Sequence, residues 1–291
     1  MLYLVFAIIM STAVMVVFRM FTRYGISNMQ AIAVNYVIAA WASYAVQDSP
    51  LSLSDLPSQS WFIMAVIIGI SFIIGFNLFA LSSQKAGVAI TGVSSRVSAI
   101  IPAAFGLVFL NEDLTLIKGA GILLVLVALY LIFKRDKSIE VDPRYVFFPI
   151  LLFLVNGAND TMMSYTEKTF LKADNDHILL FLSVIFATSL VFALGIVAYN
   201  IFAGKRKPAL KNLWGGIILG LLNFGSTYYF LKAISVFEVS VVVPVQNVSI
   251  VSLSALTGFL VFKEHLRKIN WLGIIIAIIA IFLIAIARTS S

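Results

Sequence analysis

Cysteine is absent from this chain of 291 residues, and histidine occurs only twice, at His177 and His265. The lack of cysteine excludes disulfide frameworks and thiolate metal sites. Two histidines far apart in the sequence do not favour a histidine metal site either. No GxxxxGK[ST] phosphate-binding loop occurs, which argues against ATP-driven pumping by this chain. The residues therefore predict no metal and no cofactor.

Charged residues are also scarce. They make up 11% of the chain, whereas a soluble domain carries roughly 25%. Hydrophobic residues make up 61%, and ten spans of about 20 apolar residues would occupy about two-thirds of the chain. The net charge of +7 comes mostly from basic residues in short loops, which suit a membrane surface and do not require nucleic acid. The composition thus predicts an all-α polytopic membrane protein whose partner is the lipid bilayer.

Apolar runs bounded by charged or turn residues divide the chain into ten predicted transmembrane helices. These spans cover residues 2–18, 30–47, 61–83, 87–110, 115–133, 145–166, 178–202, 212–232, 236–262 and 269–287. The longest loop, QDSPLSLSDLPSQS, is too short for a soluble domain. Function must therefore reside in the helices and their connectors.

An internal repeat divides the spans into two sets of five. A shift of 152 residues aligns 80–132 with 232–284 without a gap, and twelve of the 53 pairs are identical. The informative identities include Gly106/Gly258, Glu112/Glu264 and Gly121/Gly273. Because five is odd, the second set enters the membrane from the opposite side. We predict inverted five-helix repeats at 1–135 and 144–288, with a substrate site near the midplane between them.

Loop charge bears on the orientation. The loops after the odd-numbered spans hold 14 of the 20 Lys and Arg residues, including the clusters at 134–137 and 205–207. The positive-inside rule then places both termini outside.

The connectors NEDL and KEHL, each followed by a glycine-containing helix, resemble those of the EamA-type branch of the drug/metabolite transporter superfamily. In that family a Gly/Ser-Glu-x-Leu segment joins the fourth span to the fifth and the ninth to the tenth. Asn111 and Lys263 stand here in place of the small residue. The resemblance implies a fold of ten helices, a small-molecule substrate and cytoplasmic termini. The last point disagrees with the loop charges, so the orientation stays open.

Two charged residues lie well inside predicted spans, where an ionisable side chain is a functional candidate. Arg96 lies in the fourth span and Asp160 in the sixth, with Asn156 one turn away on the same face. An arginine can bind a carboxylate or phosphate in bidentate fashion, and an aspartate can carry a proton or bind a cation. We expect Arg96 and Asn156 in a substrate site and Asp160 in proton or ion coupling. The alternatives are that the two charges neutralise each other, or that Asp160 lies near a membrane interface and is hydrated.

Polar residues recur at equivalent depth in the two repeats. Ser94 and Ser95 align with Gln246 and Asn247, and Pro102 and Pro244 are expected to interrupt the same spans. These four polar residues are predicted to bind substrate, with interhelical hydrogen bonding as the alternative for the serines. Asn77, Asn223, Tyr228 and Tyr229 complete the predicted site, because aromatic walls with a few polar groups suit amphipathic ligands.

Small residues spaced by four predict close helix packing, as in the pair Gly216 and Gly220. Such packing can occur within the chain or between protomers, so a homodimer is compatible with it. Glu112 and Glu264 are interpreted as caps or loop contacts, and KTFLKADNDH as a solvated loop.

Together these features predict a secondary transporter that exports or exchanges a small polar or amphipathic metabolite by alternating access through a central cavity. A bacterial inner membrane is the expected location. A lipid or glycolipid flippase of the same fold is the main alternative. A membrane enzyme would need clustered acids, histidines or metal ligands, and a sensor would normally carry a soluble segment, so both are less favoured and no enzymatic activity is predicted.

Overall fold

A computed structural model describes residues 1–48, 53–134, 143–202, 209–263 and 265–289. Glu264 and the basic residues at 135, 137 and 205–207 lie outside these ranges. Every regular element in the described ranges is helical, and none of these ranges contains a strand.

The α-helices follow one another with short connections. They are α1 (Leu2–Tyr24), α2 (Asn28–Ala45), α3 (Phe62–Lys85), α4 (Val88–Val97), α5 (Ile100–Phe109), α6 (Leu116–Phe133), α7 (Phe147–Thr166), α8 (Asn175–Phe202), α9 (Leu210–Val236), α10 (Val239–Phe262) and α11 (Lys268–Thr289). Short 3₁₀ turns lie at Leu53–Ser58 and Pro143–Tyr145, and a π-helical turn at Glu167–Leu171 extends α7.

Eight of these helical segments are long and apolar enough to cross a membrane. One of the eight is Ile90–Phe109, in which α4 and α5 together form a single span. The other two predicted spans coincide with α2 and α7, which are helical but more polar. Asn28, Gln30 and Asn35 lower the hydropathy of α2, and Asn156, Asn159 and Asp160 lower that of α7.

The two prolines expected to interrupt their spans behave differently. The fourth span does break, at Ser98 and Ala99, and Pro102 lies in the first turn of α5, where its missing N–H is tolerated. The prediction for Pro244 is wrong, because α10 runs from Val239 to Phe262 without a break. Pro244 lies near the start of α10, so the missing N–H deprives only one early carbonyl, that of Ser240, of its helical partner.

The chain divides into two compact units. The first consists of Met1–Ile73 and Tyr165–Val236. In it α2 packs against both α8 and α9, and α1 packs against α9. Gly216 and Gly220 allow this approach, because a Cβ at Gly216 would lie 2.6 Å from the carbonyl oxygen of Ala31 and one at Gly220 would lie 2.8 Å from that of Asn35. The predicted close packing at this glycine pair is confirmed, and its partner is a helix of the same chain.

The second unit consists of Ile74–Ser164 and Phe237–Ser291. Its most extensive helix packing is between α6 and α11, and α10 packs against α5 and α6. A Cβ at Gly121 of α6 would lie 2.5 Å from Ile284 of α11, and a Cβ at Gly273 of α11 would lie 2.8 Å from Ile132 of α6. The two contacts are reciprocal, since each glycine and each isoleucine is 152 residues from its counterpart.

Candidate functional site

Arg96 occupies the last turn of α4, immediately before the break at Ser98 and Ala99. Its Nη1 donates a hydrogen bond of 3.0 Å to Oδ1 of Asn247 on α10. Asn247 is buried and in turn donates from Nδ2 to the carbonyl oxygen of Val243. A helix C-terminus favours a cation because its carbonyls and dipole present negative charge. The break in the fourth span therefore creates a suitable position for a guanidinium within the membrane.

Asp160 on α7 supplies the opposite charge, and the two side chains attract each other electrostatically. One turn earlier on α7, Asn156 donates from Nδ2 to Oγ of Ser95 at 2.8 Å. Ser95 is the residue preceding Arg96, so α4 and α7 contribute to one polar cluster. We call Arg96, Asn247, Asp160, Asn156 and Ser95 the polar cluster of the second unit.

The remaining predicted residues of the second unit lie on the same helices or on α3. Ser94 is half-buried, and its carbonyl oxygen accepts a hydrogen bond from the N–H of Ser98. Gln246 is half-buried, and its Oε1 is buried without a hydrogen-bond partner among the described residues. Adjacent helical residues point about 100° apart, which explains why Gln246 does not share the contact of Asn247 with Arg96. Asn77 lies half-buried on α3, two residues after Gly75, whose Cβ position is 3.5 Å from Oδ1 of Asn156.

The other three predicted residues belong to α9 of the first unit. The hydroxyl of Tyr228 donates to Oδ1 of Asn175 at 2.7 Å. Tyr229 stacks on Phe6 and Tyr3 of α1, with ring centroids 5.1 and 6.4 Å apart. The backbone carbonyl of Asn223 accepts hydrogen bonds from the hydroxyls of Ser226 and Thr227. The structure thus gathers the Arg96 group in one unit and the tyrosines in the other.

Lys232 was missed as a candidate. It lies one helical turn after Tyr228, with its Nζ 5.9 Å from the centroid of that ring, and it is half-buried. The carboxylates of Glu167 and Asp174 act on it electrostatically. The spacing of four between Tyr228 and Lys232 is the sequence signal that could have identified it.

Glu167 was missed as well. The interpretation of the adjacent segment KTFLKADNDH as a solvated loop was partly wrong. Glu167 is 1% exposed and Leu171 is buried, whereas Lys172, Ala173 and Asp174 are exposed. Oε1 of Glu167 accepts from the N–H of Ala173 at 3.0 Å and so closes the turn after α7. Burial raises the pKa of the Glu167 carboxyl. A π-helical turn directs this side chain inward, which hydropathy alone does not predict.

The connector between α5 and α6 is anchored to the start of α10. The carboxylate of Glu112 accepts from the N–H groups of Val239 at 2.6 Å and Ser240 at 2.9 Å, and also from the Ser240 hydroxyl. This agrees with the interpretation of Glu112 as a cap or loop contact, and it caps the start of α10. Nearby, buried Lys118 donates to Oε2 of Glu238 at 2.6 Å.

Asn111 and Lys263, which replace the small residue of the family pattern, both have left-handed backbone conformations, with φ of 54° and 55°. Glycine adopts this region without a steric penalty, which explains the small residue in the pattern. Within the described residues, no three His, Asp or Glu side chains lie close enough to hold a metal ion.

Comparison with known proteins agrees with this architecture. The pattern of the EamA-like transporter family matches residues 1–134 and 149–286. An uncharacterized protein of Haemophilus influenzae is 27% identical over 287 residues, which are 96% of each chain. A protein of known crystal structure shares the fold with a TM-score of 0.77 and 13% identity, covering 100% of this chain and 98% of that chain.

The family match and the eight apolar helices make this an integral, multi-pass membrane protein that functions in a lipid bilayer. Members of the family are transporters of small molecules. Because the family pattern covers nearly the whole sequence, the chain belongs to the EamA-like transporter family.

Proposed function

We propose that this protein is a secondary transporter that exports or exchanges a small polar or amphipathic metabolite by alternating access. The polar cluster of the second unit is the observation that carries this proposal. A guanidinium within a membrane span is costly, and here it is bonded to the amide of Asn247 and attracted by the carboxylate of Asp160. A neutral leucine at this position would stabilise the span better, so a role in solute binding is the reason to keep the charge.

The proposal includes ten membrane-crossing helices in two inverted repeats. The eight apolar spans are joined in this arrangement by α2 and α7, whose polar residues would face protein or solute rather than lipid. The reciprocal contacts of Gly121 with Ile284 and of Gly273 with Ile132 support the duplication, because a two-fold relation between repeats produces such exchanged contacts.

Transport also suits the chemistry better than catalysis. An enzyme acting on a lipid would need several acids, histidines or metal ligands together. The polar cluster contains one acid, Asp160, together with the guanidinium of Arg96, two neutral amides and a hydroxyl. Asp160 is the residue that we assign to proton or ion coupling, in a bacterial inner membrane. Gly216 and Gly220 are used within the chain, so they give no support to a homodimer.

The test begins with the purified protein in detergent, screened for thermal stabilisation by amino acids, sugars, nucleosides and cationic amphiphiles. Counterflow of a stabilising compound is then measured in proteoliposomes that hold the unlabelled compound inside and receive the radiolabelled compound outside. We expect Arg96→Gln and Gln246→Ala to abolish both stabilisation and counterflow. Thr257→Ala is the control, because Thr257 lies on α10 and its hydroxyl donates to the carbonyl oxygen of Leu253 in the same helix. Full counterflow by a well-folded Arg96→Gln variant would remove this cluster from the mechanism.

A further inference from the structure

The charges of the polar cluster limit what the cluster can bind. Asn156 lies one turn before Asp160 on α7 and bonds Ser95, the residue next to Arg96, so the carboxylate and the guanidinium belong to one cluster. The two groups attract each other electrostatically. The hydrogen bonds described within the cluster join Arg96 to Asn247 of α10 and Ser95 to Asn156 of α7, and both amides are neutral. The pair therefore has no net charge when both members are ionised.

An added solute must preserve this balance, because an unpaired ion in a low-dielectric site costs several kcal/mol. Arginine does not lose its proton in proteins, whereas a carboxyl group does titrate. Asp160 is thus the member of the pair whose charge can be switched off. Its protonation leaves Arg96 in need of one negative charge, and a cationic solute would make that imbalance worse.

We propose that the transported solute carries a single carboxylate, which replaces ionised Asp160 as the partner of Arg96 when Asp160 is protonated. This inference rests on the proposed transport function and names the substrate class of the same site. The guanidinium fork matches a carboxylate in geometry as well as in charge. A doubly charged phosphate would leave one negative charge unpaired.

The exchange of Asp160 for a carboxylate solute couples proton movement to solute movement. The proton on Asp160 and the carboxylate on Arg96 enter from one side together, and both leave on the other side. When they have left, Asp160 is ionised again and pairs with Arg96. One proton therefore moves with one carboxylate in the same direction, and no net charge crosses the membrane.

Acetate is the probe for this site. The Asp160→Asn variant has Arg96 without its counter-charge, so sodium acetate should raise its unfolding temperature by a few degrees at about ten times its Kd. The stabilisation should saturate, and it should be absent in sodium isethionate of equal ionic strength. The double variant Asp160→Asn with Arg96→Gln should show no saturable response. Equal responses of the single and double variants overturn the proposal.

The wild-type protein provides a second measurement that does not depend on the folding of Asp160→Asn. Acetate should stabilise the wild type more strongly at a lower pH than at a higher pH, because protonation of Asp160 leaves the guanidinium to the added carboxylate. Arg96→Gln should respond at neither pH. A wild-type response that is the same at both pH values overturns the exchange. If the solute found by the ligand screen lacks a carboxylate but still requires Arg96, the substrate class is wrong and the transport function stands. If counterflow persists in Arg96→Gln, the proposed function itself fails.

Discussion

The close contact between α2 and α9 gives a prediction with an internal control. A Cβ added at Gly216 would lie 2.4 Å from Cβ of Val34 and 2.6 Å from the carbonyl oxygen of Ala31. Gly195 of α8 has no heavy atom within 4 Å of the same position. The two glycines are both within helices, so Gly216→Ala and Gly195→Ala make the same chemical change in opposite surroundings.

The expected magnitudes follow from two terms. Alanine is favoured over glycine within a helix by about 1 kcal/mol, and this gain applies to both substitutions. Overpacking typically costs about 1–3 kcal/mol, and it applies at Gly216 alone because the obstructing oxygen belongs to the backbone. We therefore expect Gly195→Ala to be neutral or stabilising. Gly216→Ala should be less stable than Gly195→Ala by about 1–3 kcal/mol.

Unfolding in mixed micelles of dodecylmaltoside and SDS, followed by the fluorescence of the four tryptophans, measures this difference. Thiol-reactive dyes are of no use here, since the chain has no cysteine. Equal unfolding free energies for Gly216→Ala and Gly195→Ala would show that α2 and α9 do not approach at backbone distance. The packing of the first unit as described would then be wrong.

Three further predictions use the same unfolding assay. Glu112→Ala should lower the unfolding free energy by about 2–3 kcal/mol, because hydrogen bonds to a charged group contribute about 1.5–3 kcal/mol each and water replaces part of them. Asp113 is the exposed neighbour of Glu112, and Asp113→Ala should change the unfolding free energy by less than about 0.5 kcal/mol. Lys263→Gly should raise the unfolding free energy by about 0.5–1 kcal/mol, because it relieves a left-handed backbone that costs about 1–2 kcal/mol. Asn111→Gly should raise it by less, since asparagine tolerates that region. A lower unfolding free energy in both variants would contradict the left-handed conformation. Burial raises the pKa of Glu167, so its contribution to stability is present below the unfolded-chain value of about 4.3 and is lost as pH rises through the raised pKa. The unfolding free energy of Glu167→Gln should therefore rise relative to that of the wild type from acidic to neutral pH. A difference that stays constant with pH would contradict a buried carboxyl that titrates.

Helical class and membrane location could be predicted because they depend on composition and on hydrophobic length, both of which are local. The family could be predicted from the NEDL and KEHL connectors and the glycine-containing helices that follow them. The packing of Gly216 and the cap by Glu112 were predictable for a related reason, since a small-residue spacing and an acidic residue at a helix connection have few physical uses. The inward orientation of Glu167 could not be predicted, because a π-helical turn shifts the side-chain register and has no recognisable residue pattern. The continuous helix through Pro244 was missed because the effect of a proline depends on its distance from the helix start. Whether Gln246 or Asn247 faces Arg96 also required the structure, since helix rotation decides it.

The predicted duplication explains the scaffold, but the charges of the polar cluster do not follow it. Ser95 and Asn247 are equivalent under the shift of 152 residues, and each holds a polar partner, Asn156 and Arg96 respectively. Arg96 itself aligns with Val248, and the break that places it at a helix end has no counterpart in α10. A symmetric pair of sites would require an arginine in each repeat. One arginine and one break imply one anion site per chain, so acetate should bind to Asp160→Asn with a stoichiometry of one, and a second equivalent of saturable binding would mean that the anion is held elsewhere.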